Sequence, residues 1–447
     1  MTMPKSIYLE SLGCARNLVD SEQMLGRLEK AGWEVTRDPS KAQVIVVNTC
    51  SFIESAANES IDAILALAAF KTHGACRRLV VAGCLPERYR QEIASALPEV
   101  DAFIGTGAFD RVIEAAEGRL AASACLLPDP QLISQGAQIP RKRSPAPAAY
   151  LKIAEGCSRH CTYCIIPTLR GRQKSRAPED ILSEARMLLR QGAKELVLVS
   201  QDTTHYGREL TPPGGLADLL QRLARLPEAE QAWIRFLYGH PESIDGRVVD
   251  TVAAHANLCP YFDIPIQHAS SAVLKNMGRR YTARDLERLF AGIRSAIPQA
   301  ALRTTVIVGF PGETEDDFNQ LLGFVDKIRF DHLGVFIYSD AEDLPSHRLP
   351  AAVPKRSAQR RHDRLMARQQ EVSRQLNEKW IGRSLTVLAE EQQAGHLMVG
   401  RSKFQAPEVD GLVFVRTENR VPPPAIGAFC AVQITDALEY DLIGEAQ

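Results

Sequence analysis

No apolar run in this sequence approaches the roughly 18 residues that a membrane-spanning helix needs. The stretch from Met1 to Cys14 also lacks the basic region followed by an apolar one that marks a secretory leader. Both absences point to a cytoplasmic protein with no membrane partner. Net charge is missing too: 53 Lys and Arg stand against 54 Asp and Glu, a net of −1. No global field therefore draws the chain to nucleic acid, and any such contact is local. What remains is ordinary soluble composition, 45% apolar and 24% charged, in a chain of 447 residues, long enough for about three domains. Cysteine is the exception, with ten residues. In a reducing compartment that number favours metal ligation over disulfides.

Hydrophobic periodicity divides the chain. Short β-branched runs at Ile7–Leu12, Val44–Asn48, Leu79–Ala82 and Ala102–Ile104 alternate with helical patterns near Ser21–Ala31, Ala56–Phe70 and Pro86–Leu97. That βαβ series predicts a mostly parallel sheet in a first domain over 5–116. A Pro-rich polar stretch, Leu126–Ala149, carries the basic run Arg141, Lys142, Arg143 and reads as a linker, placed at 117–142. Over 143–380, strands at Ala149–Ala154, Leu196–Ser200, Ile234–Tyr238, Phe262–Ile266, Leu302–Val308 and Gly334–Tyr338 alternate with helices. Six such repeats predict a partial (β/α) barrel, whose chemistry sits at the carboxyl ends of the strands. The basic stretch Lys355–Lys379 reads as a connecting helix. Over 383–447 the runs shorten, as at Leu385–Ala389, Val413–Arg416 and Phe429–Thr435, and predict a small antiparallel, OB-like β-barrel. The fold class is thus α/β and multidomain.

Directly after the first barrel strand come Glu155-Gly156-Cys157-Ser158-Arg159-His160-Cys161-Thr162-Tyr163-Cys164. Three thiolates can hold three irons of a four-iron cluster and leave the fourth open to a substrate, as catalytic metal centres keep a free position. A zinc knuckle is the bland alternative, but zinc sites normally take a fourth protein ligand and a second paired C-x2-C. A second trio is spread along the first domain. Cys14, Cys50 and Cys84 each follow a strand, in Leu12-Gly13-Cys14, Asn48-Thr49-Cys50 and Ala82-Gly83-Cys84. The carboxyl ends of neighbouring parallel strands share one edge, where ligands bind, so these thiols can reach one cluster. Gly13 and Gly83 let the backbone bend closely around it. Cys76, Cys125, Cys259 and Cys430 read as small core residues.

The C-x3-C-x2-C spacing, with the aromatic Tyr163 before its last cysteine, resembles the radical S-adenosylmethionine superfamily. Both trios in this order resemble its methylthiotransferase family across essentially the whole chain. Cys14-Ala15-Arg16-Asn17-Leu18-Val19-Asp20-Ser21-Glu22, Ile153-Ala154-Glu155-Gly156-Cys157 and Ser200-Gln201-Asp202-Thr203-Thr204-His205-Tyr206-Gly207 look like the branch acting on protein twelve of the small ribosomal subunit. The tRNA branch typically has Gln-Met-Asn after the first cysteine and Gly-Gln-Asn-Val in the later loop. The resemblance implies two 4Fe–4S clusters, on Cys14, Cys50 and Cys84 and on Cys157, Cys161 and Cys164, the latter binding S-adenosylmethionine. It implies methylthiolation of an aspartate β-carbon, a C-terminal TRAM domain, a flavodoxin- or ferredoxin-type electron donor and a sulfur source. Methylthiolation of tRNA adenosine, or a noncatalytic iron–sulfur carrier, are the alternatives. No side chain is assigned as acid or base, because the clusters carry the chemistry.

Other residues are weighed by position. Tyr163 and Arg303 are candidate S-adenosylmethionine contacts, Arg303 through the ligand's carboxylate; a structural ion pair is the alternative for Arg303. Gly309 to Glu315 follow the same strand. Gln201, Asp202, Gln267 and His268 sit at strand ends with roles left open. From Arg383 onward, Arg383, Arg401, Lys403, Arg416 and Arg420 face nine acids, five minus nine giving −4. An acidic barrel complements a basic ribosomal protein better than an RNA backbone. The helix over Lys355–Lys379 could touch ribosomal RNA, or be a solvated face.

Overall fold

The computed structural model describes residues 5–120, 124–132, 140–418 and 423–447. It divides into two compact units. The first takes Met1–Ser144, Ala154–Arg159 and Cys164–Arg176; the second takes Pro145–Ile153, His160–Tyr163 and Ala177–Gln447.

In the first unit, β1 (Ser6–Ser11), β2 (Glu34–Val35), β3 (Val44–Thr49), β4 (Arg78–Gly83), β5 (Ala102–Ile104) and β6 (Ala124–Leu126) form one sheet in the order β2-β1-β3-β4-β5-β6. Every pairing is parallel. The continuous apolar runs of β3 and β4 follow from burial on both faces. Ile45, Val47, Leu79 and Val81 join one core with Ile64 and Leu85, while Val44, Val46, Val80 and Ala82 join another with Met24, Leu28 and Val112. The first helix, Ala15–Lys30, starts six residues before the expected Ser21, directly after Cys14. Its early turns were masked in the sequence because polar residues, Asn17, Asp20, Ser21 and Glu22, occupy the inward positions. The helix expected over Pro86–Leu97 is two, Cys84–Tyr89 and Gln91–Ala96, broken where Arg90 takes a left-handed φ of 50°.

Part of the stretch expected as linker is folded. β6 extends the sheet, and the buried Arg141 donates from Nε to Glu22 Oε2 at 2.6 Å. Of the basic run, Arg141 serves an internal ion pair, while Lys142 pairs with Glu29 at the surface. Residues 133–139 of the same stretch lie outside the described residues.

The barrel strand β7 (Ala148–Lys152) belongs to the second unit. It is followed by a two-residue antiparallel pair of the first unit, β8 (Ala154–Glu155) with β9 (Lys174–Ser175). Then come β10 (Glu195–Val199), β11 (Trp233–Phe236), β12 (Tyr261–Asp263), β13 (Ala301–Val308) and β14 (His332–Ile337). They form two parallel three-stranded sheets, β11-β10-β7 and β12-β13-β14, joined by a parallel bridge between Ile234 and Leu258. This is the partial (β/α) barrel. Leu196, Leu198, Ile234, Phe236, Phe262, Leu302 and Val306 pack into the large core with the helices. The alternate residues, among them Glu195, Arg235, Tyr261, Asp263 and Arg303, have the opposite strand face.

The remaining strands, β15 (Ser384–Gln393), β16 (Leu397–Arg401), β17 (Val413–Arg416), β18 (Phe429–Ala437) and β19 (Leu442–Ala446), close a barrel in the order β15-β16-β17-β19-β18. The expectation was antiparallel; the β17–β19 pair that closes it is parallel. Its contacts with the larger barrel fall at the amino ends of those strands. Arg401 Nη2 donates to Glu195 Oε2 at 2.6 Å, and Glu195 also pairs with Arg235. Asp410 accepts from Tyr261 Oη at 2.6 Å and Arg303 Nε at 3.2 Å, His332 Nε2 hydrogen-bonds to the Phe404 carbonyl at 2.8 Å, and Trp233 packs on Phe429 at 4.8 Å.

Candidate metal centre

β1, β3 and β4 are adjacent, and their carboxyl ends deliver Cys14, Cys50 and Cys84 to one edge. Cys14 caps the long first helix, and Cys84 begins the helix after β4. At Gly13 (φ 90°) a Cβ would stand 2.6 Å from Cys50 Cβ, and at Gly83 (φ 98°) 2.4 Å from Asn48 Oδ1, so both tight passes require glycine. The thiols lie within each other's electrostatic reach.

A buried cation stands among them. Arg170, 2% exposed, donates from Nη2 to Cys84 Sγ at 3.5 Å and to Asn17 Oδ1, and from Nη1 to Asp20 Oδ2 at 2.7 Å and Glu155 Oε1 at 3.2 Å. Asn17 Nδ2 in turn donates to the carbonyls of Leu12, at 3.0 Å, and Thr49, at 2.9 Å, at the ends of β1 and β3. Burial resists ionisation at Cys14, but the charges of Arg16 and Arg170 and backbone N–H groups outweigh it and hold the thiol below its ordinary range. Burial dominates at Cys50, raised, and at Cys84, pushed up to about 11 despite Arg170. Three thiols at one edge beside a buried cation fit a cluster that needs thiolates and carries negative charge. Among the described residues no three His, Cys, Asp or Glu groups stand close enough to hold a single ion; a four-iron cluster spaces its thiolates more widely.

The other trio follows β8 on a short loop, Cys157 buried and Cys161 and Cys164 half-buried. In the first unit the Cys157 N–H donates to the Gly171 carbonyl at 3.0 Å. In the second unit the Tyr163 ring meets Phe310 edge-on at 6.4 Å, and its hydroxyl accepts from Arg279 Nε at 3.1 Å. Burial holds that hydroxyl protonated, far above its usual range.

Phe310 rides the loop after β13, which Glu313 secures: its carboxylate accepts from the Gly309 N–H, lies 3.4 Å from His268 Nε2 and pairs with Arg361 at 3.1 Å. His268 Nδ1 accepts from the Ser270 N–H at 2.9 Å, so Nε2 carries the proton toward Glu313. Asp202 accepts from Thr204 Oγ1 at 3.1 Å, and Gln267 holds a left-handed φ of 66° on the same rim as half-buried Gln201.

Arg303 differs from its expected role. It is the third residue of β13, toward the amino end, and pairs with Asp263 at 3.0 Å and Asp410 at 3.2 Å. Its Nε and Nη1 are engaged by Asp410 and Asp263, the structural ion pair that stood as the alternative. The basic helix, Lys355–Asn377, is also largely spoken for: Arg361 and Arg364 pair with Glu315, and Arg368 with Asp326. Of the C-terminal acids, Glu390 pairs with the buried Arg401 and Asp410 with Arg303; Arg420 of that count lies outside the described residues. Sequence reasoning passed over Arg170; its signal was a charged residue closing the mostly apolar run Ile165-Ile166-Pro167-Thr168-Leu169.

A partial (β/α) barrel with a three-cysteine loop after its first strand defines a radical S-adenosylmethionine protein. Residues 151–325 match the Radical SAM superfamily, 6–105 an uncharacterized protein family designated UPF0004, and 381–446 the TRAM domain. Among solved structures, the radical S-adenosylmethionine methyltransferase TsrM from Kitasatospora setae aligns at TM-score 0.58 and 15% identity over 77% of each chain, a likeness of fold. Three curated relatives carry the name ribosomal protein uS12 methylthiotransferase RimO. That from Desulfosudis oleivorans is 53% identical over 99% of this chain and 100% of its own; that from Clostridioides difficile is 46% identical over 98% of each. The third, from Geobacter sulfurreducens, is 45% identical over 99% of this chain and 98% of its own. The chain belongs to the RimO family of ribosomal protein uS12 methylthiotransferases.

Proposed function

We infer that this protein methylthiolates the β-carbon of an aspartate in ribosomal protein uS12, with S-adenosylmethionine as methyl donor and radical source. The observation that carries the reading is the convergence of Cys14, Cys50 and Cys84 on one sheet edge, in a chain alike over its full length to enzymes of that name. Cys157, Cys161 and Cys164 would hold the cluster that takes S-adenosylmethionine, and Cys14, Cys50 and Cys84 would hold the other.

When bound, the first cluster supplies the electron that cleaves S-adenosylmethionine to a radical able to take hydrogen from an unactivated carbon, and the second supplies the sulfur. The chain's own residues shape the surroundings. Within the second unit the Tyr163 ring packs edge-on against Phe310, and Glu313 holds the Phe310 loop to the barrel. Arg170 supplies positive charge among the auxiliary thiols. The aspartate β-hydrogen is only weakly acidic, and on a radical route it leaves as a hydrogen atom, so no side chain at this rim is assigned as acid or base.

Among the described residues no helix is long and apolar enough to cross a membrane. A cytoplasmic setting, a flavodoxin- or ferredoxin-type reductant and a separate sulfur source complete the reading. The test is incubation of the reduced, reconstituted chain with S-adenosylmethionine, sulfide and either uS12 or tRNA. The mass of one methylthio group on a uS12 aspartate is expected; unmodified uS12 together with modified tRNA adenosine would overturn the substrate assignment.

A further inference from the structure

Arg170 joins two pieces of chain that the sequence keeps apart. Its Nη2 donates to Cys84 Sγ, its Nη1 to Glu155, two residues before Cys157, and the next residue, Gly171, accepts the Cys157 N–H. All of this lies within the first unit. If Asp20 and Glu155 were merely the partners of a structural arginine, the guanidinium would have no need to turn one nitrogen toward a thiol. Asn17 enforces that turn, because its Oδ1 takes Nη2 while its Nδ2 is anchored to the ends of β1 and β3. Planar, permanently charged and held by oxygens on its other side, the group has a fixed direction.

We propose that Arg170 is a positioning residue of the auxiliary cluster, donating to the Cys84 ligand sulfur and setting that cluster's reduction potential. This rests on the assignment of Cys14, Cys50 and Cys84 as cluster ligands. A hydrogen bond and a positive charge at a ligand sulfur favour the reduced, more negative state, so their removal lowers the potential.

Full-length Arg170→Gln and Arg170→Lys chains, reconstituted with iron and sulfide, test this by metal analysis and EPR-monitored redox titration. The auxiliary signal is identified as the one absent from the Cys14→Ala, Cys50→Ala, Cys84→Ala chain. The expected result is about eight irons per chain, with the auxiliary midpoint moved to more negative potential in both variants and further in Arg170→Gln. Loss of the auxiliary cluster alone from a folded chain also supports the role. An unmoved auxiliary midpoint at full iron content overturns it, and so does loss of both clusters together. Should neither Arg170 variant fold, Asn17→Ala, which frees Nη2 to turn, is expected to show the same negative shift, and a wild-type midpoint there overturns the proposal. A wild-type chain with only about four irons would instead overturn the ligand assignment beneath it.

Discussion

Arg170 in the first unit and Arg401 in the second are both almost fully buried, yet their partners differ in kind. Arg401 donates only to oxygen: Glu195 at 2.6 Å, Glu390 at 2.6 and 2.9 Å, and the Gln405 carbonyl at 2.9 Å. Arg170 spends three contacts on oxygen and turns a fourth toward sulfur. Desolvating a guanidinium is costly wherever it happens. In the second unit the return is architectural, because Arg401 with Glu195 and Asp410 with Arg303 fasten the small barrel to the amino ends of the large one. In the first unit the return is chemical, because charge reaches a thiol at the end of β4. A buried ion pair is thus read by its partners rather than by its burial.

Four substitutions sharpen that contrast. The largest effect is expected at the cysteine loop: Cys157→Ala reduces 5′-deoxyadenosine formation to background, measured by chromatography of the reduced protein with S-adenosylmethionine, while the denaturation midpoint moves little. Next is Glu195→Gln, which strands Arg235 as a buried charge, leaves Arg401 with Glu390 as its carboxylate, and costs about 3–5 kcal/mol at neutral pH, read from urea unfolding. Although burial opposes ionisation, Arg235 and Arg401 outweigh it and hold the Glu195 carboxyl below its ordinary value. Its stabilisation is therefore complete above the unfolded carboxylate value and lost as pH falls through the lower folded one, so the gap between wild type and variant narrows in acid. Asp410→Asn weakens the acceptor shared by Tyr261 and Arg303 and costs about 1–3 kcal/mol, seen as faster proteolysis of the small barrel with 5′-deoxyadenosine formation retained. At the bottom of the scale, Arg222→Ala removes an exposed pair with Glu179 and is expected to leave the melting temperature where it was.

The framework was legible because its signals are local. Alternating apolar runs and helices placed β1, β3, β4 and β5 within a residue or so, and cysteines closing three of the runs pointed to one edge before any coordinates did. The rest depended on distant partners. Nothing in the stretch around Arg303 announces Asp410, 107 residues away, and Asp20 is separated from Arg170 by 150. The same blindness explains the late helix start. Asn17, Asp20 and Glu22 point inward because they serve Arg170 and Arg141, and Ser21 because it meets Asn48 and Ser11; polar residues on a core-facing stripe erase the periodicity that marks a helix. At Asn17 and Asp20 the residues responsible reach the cysteine edge through Arg170, as expected when a functional site overrides local rules.

The most direct measurement is made on the chain with Cys14, Cys50 and Cys84 all replaced by alanine, reconstituted and given reductant, S-adenosylmethionine, sulfide and uS12. The account predicts about four irons, continued release of 5′-deoxyadenosine and no methylthiolated uS12. A full iron complement, or methylthiolated uS12 at the wild-type level, would contradict it.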